Sequence, residues 1–141
     1  MNATETVEEY YESLRRGDSL SPYFAEREDV VKFGVSERLA GYEAVADGLR
    51  EQTRTTDEWR VESRALRVIA RETVARFTDD VAMSWTVTDE SGPETRHSFE
   101  TRWSGVLERD DVADDEKDRE SGGTAGRWRF VQMHVSAPHE L

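Results

Sequence analysis

The final apolar segment, Arg127-Trp128-Arg129-Phe130-Val131-Gln132-Met133-His134-Val135-Ser136, alternates two complete sets of side chains and stops just before Pro138. A run of period two is a sheet strand, because successive side chains of an extended chain point to opposite faces. One face carries Trp128, Phe130, Gln132 and His134, the other Arg129, Val131, Met133 and Val135. Neither set is a simple solvent face, so something must cover each side of the sheet.

The rest of the chain divides into a helical half and a strand half. Thr6 and Glu9 have capping-box spacing, and Val7, Tyr10, Tyr11 and Leu14 follow at i, i+3, i+4 and i+7. The pattern predicts a helix to about Arg16, stopped by Gly17, and a short second helix through Leu20, Tyr23 and Phe24. A small strand spans Val30 to Phe33, and Ser36 to Ala40 reads as a loop. Tyr42, Val45, Ala46 and Leu49 restore helical spacing up to about Thr53. Strands follow over Trp59 to Ala70, then Val74 to Phe77 continuing through Val81 to Thr88 after an Asp79-Asp80 turn, then His97 to Arg109 and Arg127 to Ser136. Adjacent carboxylates such as Asp79 and Asp80 are turn residues more often than an acid/base pair, and on a strand they point apart. Between the last two strands, residues 110–126 hold seven acidic residues and the Gly122-Gly123 pair, a solvated hairpin loop. Three helices before a long antiparallel sheet make an α+β layout with the helices on one sheet face.

Composition excludes several function classes. A chain of 141 residues is one domain, 1–141, large enough to hold a small cavity. It has no apolar run near the ~18 residues of a membrane span and no basic, apolar leader, so it reads as soluble and cytoplasmic. With no cysteine, disulfides and thiolate nucleophiles are excluded. The net charge of -12 repels phosphate backbones and anionic lipid, which argues against nucleic acid and membrane as partners. Lys32 and Lys117 are the only lysines, and a carboxylate-rich, lysine-poor chain is what salt-accumulating archaea use, so a halophilic source is expected. Ser121-Gly122-Gly123-Thr124 lacks the Lys-Ser/Thr pair of a phosphate loop, and His97, His134 and His139 lack metal-ligand spacing. No cofactor and no metal are expected. Trp59, Trp85, Trp103 and Trp128 fall one per strand and can fill the sheet faces by burial alone.

Helix, Gly17-Asp18, short helix, Phe24-Ala25, strand, Gly41 and helix, then four strands ending Trp128-Arg129-Phe130-Val131-Gln132-Met133-His134-Val135-Ser136, is an order that resembles the SnoaL-like branch of the nuclear transport factor 2-like superfamily. The resemblance covers nearly the whole chain. It implies a cystatin-like α+β cone, a curved antiparallel or mixed sheet wrapped around the first helix, with a pocket at the open end and a homodimer built on the outer sheet face. Trp128, Phe130, Gln132 and His134 would then meet the second subunit, making His134 an interface residue rather than a catalytic one. Arg129, Val131, Met133 and Val135 would floor the cone.

By the same resemblance, Tyr10 falls at the helix-one tyrosine of the family's steroid isomerases, Lys32 where their aspartate base stands, and Ser104 where their protonated acid stands. Lys32 and Ser104 depart from that pattern and argue against allylic isomerisation. Arg102 is similar to a pocket arginine in the association domain of calcium/calmodulin-dependent kinases. The resulting expectation is a small-molecule-binding protein with Tyr10, Lys32, Arg102, Ser104 and Met133 at its pocket, suited to an anionic or carbonyl-bearing ligand. Isomerase, cyclase or hydrolase chemistry is the activity class implied, with Tyr10 as donor to a developing oxyanion and Lys32 stabilising it. The alternative is a non-enzymatic homodimeric assembly or accessory module whose cone is merely filled.

Overall fold

The structure, a computed structural model, describes residues 1–88, 92–110 and 126–138. The first helix, α1, runs Ala3–Arg16 and starts one turn before the expected cap. Asn2 Oδ1 accepts from the Glu5 N–H at 2.7 Å while Glu5 Oε1 accepts from the Asn2 N–H at 2.8 Å, a reciprocal capping box that satisfies two otherwise unpaired donors. Thr6, the expected cap, lies inside the helix and donates its hydroxyl to the Asn2 carbonyl at 3.0 Å. The apolar stripe Ala3, Val7, Tyr10, Tyr11 and Leu14 is buried against the sheet. The short second helix is a single 3-10 turn, Ser21–Tyr23, and the other α-helix, α2, spans Tyr42–Thr55.

The strands are β1 (Val31–Phe33), β2 (Arg38–Ala40), β3 (Thr56–Ser63), β4 (Arg67–Ala70), β5 (Val74–Val87), β6 (Thr95–Arg109) and β7 (Trp128–Ser136). They form one mixed sheet in the order β2-β1-β7-β6-β5-β3, with β4 pairing the other end of β5. Only the β1–β7 pairing among the described strands is parallel. The segment read as a loop contains β2, which pairs Arg38, Leu39 and Ala40 with β1. The expected long strand over 59–70 is two strands that pair successive stretches of β5.

Asp79 and Asp80 do not turn the chain. They sit in mid-β5, opposite Trp103 and Arg102 of β6. The period-two row Ala75, Phe77, Asp79, Val81 and Met83 runs through them unbroken and is buried throughout.

The two faces of β7 differ from a strict alternation because the strand carries an extra residue. Leu107 pairs with Phe130 and its neighbour Val106 with Gln132, which leaves Val131 as a bulge and inverts the parity of everything before it. Phe130 is therefore fully buried, its ring 5.3 Å from Tyr10, 5.4 Å from Phe24 and 5.7 Å from Phe77. Trp128 shares that inner parity and lies under the Arg109 guanidinium. Neither can belong to an outer interface face. Arg129, expected on the floor of the cone, has the opposite parity and pairs with Asp110. Beyond the bulge the expected faces hold: Met133 and Val135 are buried, whereas Gln132 and His134 are exposed. The close strand approach here requires Gly105, since a Cβ at that position would lie 2.4 Å from the Gln132 carbonyl oxygen and 2.8 Å from the Phe77 ring. Apart from Asp110 and Gly126, the acidic segment 110–126 lies outside the described residues, as does His139.

Candidate functional site

A cavity of about 310 Å³ opens between α1, α2, the β1–β2 turn and the inner face of the sheet. Its apolar walls are Leu14, Trp59, Met83, Trp85, Trp103 and Val135, and its polar groups include Tyr10, Lys32 and Glu37. The tryptophans are held in place. Trp103 donates its indole N–H to Thr101 Oγ1 at 2.9 Å, and that hydroxyl donates to the Val81 carbonyl at 2.7 Å. Trp59 follows a bulge at Glu58, whose φ is 56°, and stacks on Trp85 with ring centres 4.7 Å apart. Flat, fixed indoles with the rest of the cavity open before them suit a planar apolar body.

Tyr10 reaches the cavity from α1 with its ring wedged among Tyr23, Phe24, Trp103 and Phe130 at centroid distances of 5.3 to 6.1 Å. Its hydroxyl makes no hydrogen bond to any described residue, yet among the described residues no fully buried side-chain nitrogen or oxygen is left without a partner, so the hydroxyl faces the cavity. Burial raises its pKa, with the nearby Glu37 charge adding to the effect, so the phenol keeps its proton as a donor.

Lys32 enters from β1, where the inward parity places it between Leu39 of β2 and Met133 of β7. It is 5% exposed. Its Nζ has one acceptor among the described residues, Glu37 Oε2, at the long distance of 3.4 Å. Burial lowers the Lys32 pKa, and Glu37 opposes that shift only in part. Glu37 is itself half-exposed and is folded back by the turn that joins β1 to β2, with the Gly34 N–H donating to the Glu37 carbonyl at 2.9 Å.

The remaining expected pocket residues divide. Met133 is fully buried beside Lys32 and fills the core without lining the cavity. Arg102 and Ser104 share the outer parity of β6 and open onto a separate depression with Asp80, His134 and Ser136, on the opposite side of the sheet from Tyr10 and Lys32. His134 packs there on Phe33, with ring centres 5.3 Å apart. Among the described residues no three His, Asp or Glu side chains converge as a metal site requires.

Asp79, expected from the sequence to be a turn residue, is instead a buried polar group of the inner sheet face. It is 4% exposed and accepts from Tyr11 Oη at 2.8 Å, Ser63 Oγ at 2.6 Å and the Ala65 N–H at 2.8 Å. Burial, reinforced by this hydrogen bond, raises the pKa of Tyr11 and keeps it protonated as a donor. The carboxylate thus ties α1 to the bend between β3 and β4, behind the cavity rather than in it. The signal for it was present: Asp79 continues the apolar row of β5.

A curved mixed sheet around a helix, packed at one end and open at the other onto an aromatic-walled cavity, defines the cone-shaped α+β class of the nuclear transport factor 2-like proteins. The chain belongs to the SnoaL-like domain family, whose sequence pattern matches residues 3–113. Solved structures agree on the fold. A candidate dehydratase of the nuclear transport factor 2-like family from Streptomyces avermitilis superposes with a TM-score of 0.74 at 16% identity, over 97% of this chain and 94% of that one. A candidate calcium/calmodulin-dependent protein kinase type II association domain from Thiobacillus denitrificans gives 0.69 at 16% identity, covering 98% and 96%. A ketosteroid isomerase-like protein from Erwinia carotovora gives 0.65 at 15% identity, covering 97% and 94%. At such identities the likeness establishes the fold alone. The comparison with curated proteins returned no match. No helix among the described residues is long and apolar enough to cross a membrane.

Proposed function

We propose that the chain binds a small organic molecule in the cone, with a flat apolar body against Trp59, Trp85 and Trp103 and an anionic or carbonyl group directed to Tyr10 and Lys32. One observation carries this reading: a phenol with no hydrogen-bond partner among the described residues and a buried, weakly paired lysine open into the same aromatic-walled cavity. A polar atom in a low-dielectric cavity is costly unless it is well hydrogen-bonded, and a ligand oxygen would give Tyr10 an acceptor and Lys32 a second one beside Glu37. Acid/base or oxyanion chemistry of the isomerase, cyclase or hydrolase kind is compatible with these groups. Steroid-type isomerisation is not, because the inward group on β1 is an amine. The test is a titration of tryptophan fluorescence with benzoate. Saturable quenching, weakened about tenfold in Lys32→Met, is expected for a charge-assisted contact worth about 1.5 kcal/mol. Linear, unsaturable quenching that Lys32→Met leaves unchanged contradicts it.

The second reading is a homodimeric module using the outer sheet face. The exposed Gln132 and His134 favour it, with Arg102 and Ser104 in the depression alongside. The face is more polar than first expected, since Phe130 and Trp128 turn inward. A salt-rich cytoplasm as the working environment belongs to the same proposal and rests on the acid excess.

A further inference from the structure

We infer that Lys32 is a carbonyl-trapping amine, which forms an imine with an aldehyde or ketone held in the cone. The inference rests on the ligand site proposed above and adds covalent chemistry to it. Three features of the site converge on that step. Lys32 is buried, and its single acceptor among the described residues lies at 3.4 Å, so an ammonium with three donors is poorly satisfied there and burial enlarges the fraction of neutral amine. A desolvated amine is a nucleophile, because its lone pair is free. The Tyr10 hydroxyl, protonated and without a described partner, faces the same cavity and is placed to donate to a carbonyl oxygen as charge grows on it. Glu37 touches both Nζ and solvent, which is what a proton carrier between the two requires.

The step balances without any oxidant or cofactor. The Nζ lone pair forms the C–N bond while the carbonyl π pair moves onto oxygen, under the Tyr10 hydrogen bond. Glu37 takes one proton from nitrogen and returns it to oxygen, giving a neutral carbinolamine. A second proton follows the same route as the C–O bond breaks, and water leaves as the C=N bond forms. Glu37 ends as it began, a carboxylate. The titratable groups that line the cavity with Lys32 are Glu37 from the β1–β2 turn, Tyr10 from α1 and Glu51 from α2.

The chain is well suited to a decisive experiment, because Lys117 is its only other lysine. The protein is incubated at pH 7 with benzaldehyde and cyanoborohydride, which reduces an imine to a stable amine, and the labelled peptide is mapped by mass spectrometry. Lys32 is expected to label at least about tenfold faster than Lys117, since burial enlarges the neutral fraction of its amine and the cavity holds the aldehyde beside it. Tyr10→Phe should slow the labelling by about tenfold or more, as loss of an oxyanion donor does. Label confined to Lys117 or the N-terminus, or equal rates at the two lysines, overturns the inference. The mapping needs no variant, so a substitution that fails to fold cannot obscure it. Tryptophan fluorescence with benzaldehyde alone separates the two levels: saturable quenching without a Lys32 adduct overturns only the imine, while absence of saturable quenching removes the ligand site beneath it.

Discussion

Two buried charged side chains, Lys32 and Asp79, show how differently a single residue can be used. Asp79 has three donors around its carboxylate and anchors α1, so its removal should be costly. Asp79→Asn is expected to lose ~2–3 kcal/mol in urea unfolding, the usual range for hydrogen bonds to a charged group. Tyr11→Phe should be strongly coupled to it in a double-mutant cycle, and additive losses would show that the two do not share an interaction. Lys32 is poorly satisfied and should behave in the opposite way. Its folded-state pKa is lowered by burial from the ordinary 10.5, so the unfolded chain binds more protons and stability rises with pH up to about that value. Lys32→Met should therefore be the more stable protein at pH 7, by about 1 kcal/mol or more, as when a buried ion pair is replaced by an apolar side chain. The advantage should close as pH approaches 10.5. A Lys32→Met protein less stable than wild type at pH 7 would mean that the Glu37 pair is a net stabilising contact. The inward position of Lys32 was legible from the family resemblance. That of Asp79 was not, because two adjacent carboxylates carry the local signature of a turn and only the longer row of β5 contradicts it.

At the level of elements, β7 decides which side chains reach the core. Its two ends obey opposite parities because Val131 is bulged, and a bulge has no signature in an alternating sequence. That is why the half of the strand beyond the bulge was readable and the half before it was not. The same strand crossing depends on Gly105, where any side chain meets backbone. Gly105→Ala is expected to cost ~1–3 kcal/mol as an overpacking change, measured by the same unfolding titration. An unchanged midpoint would show that β6 and β7 can separate without loss. The cap of α1 teaches a related lesson. Thr6 and Glu9 have the right spacing, but Asn2 and Glu5 satisfy the same motif one turn earlier and bring Ala3 into the buried stripe. Helix periods, the strand-rich second half and the α+β layout followed from hydrophobic spacing. The β2 strand did not, since three residues are too few to show a period.

For the whole molecule, the charge balance and the cone make separate predictions. With 31 acidic residues against 19 basic ones, carboxylate repulsion opposes the compact state and salt screens it. The melting temperature should rise from low to multimolar KCl, and a flat or falling profile would contradict adaptation to salt. The cone itself was foreseeable because the order of elements is distinctive, whereas its contents depended on inward and outward parity at single positions. Arg102 and Ser104 fell on the outer side and Tyr10 and Lys32 on the inner, leaving a cavity with tryptophan walls into which the Tyr10 and Lys32 donors open. The central claim is that Lys32 meets a ligand there. With lysine as the only ¹³C-labelled residue, the chain gives two side-chain resonances by NMR, from Lys32 and Lys117. Titration with benzoate should move the Lys32 ε-carbon resonance saturably and leave Lys117 in place. If neither resonance moves, or both drift in parallel without saturation, the cone is not a binding site for such molecules.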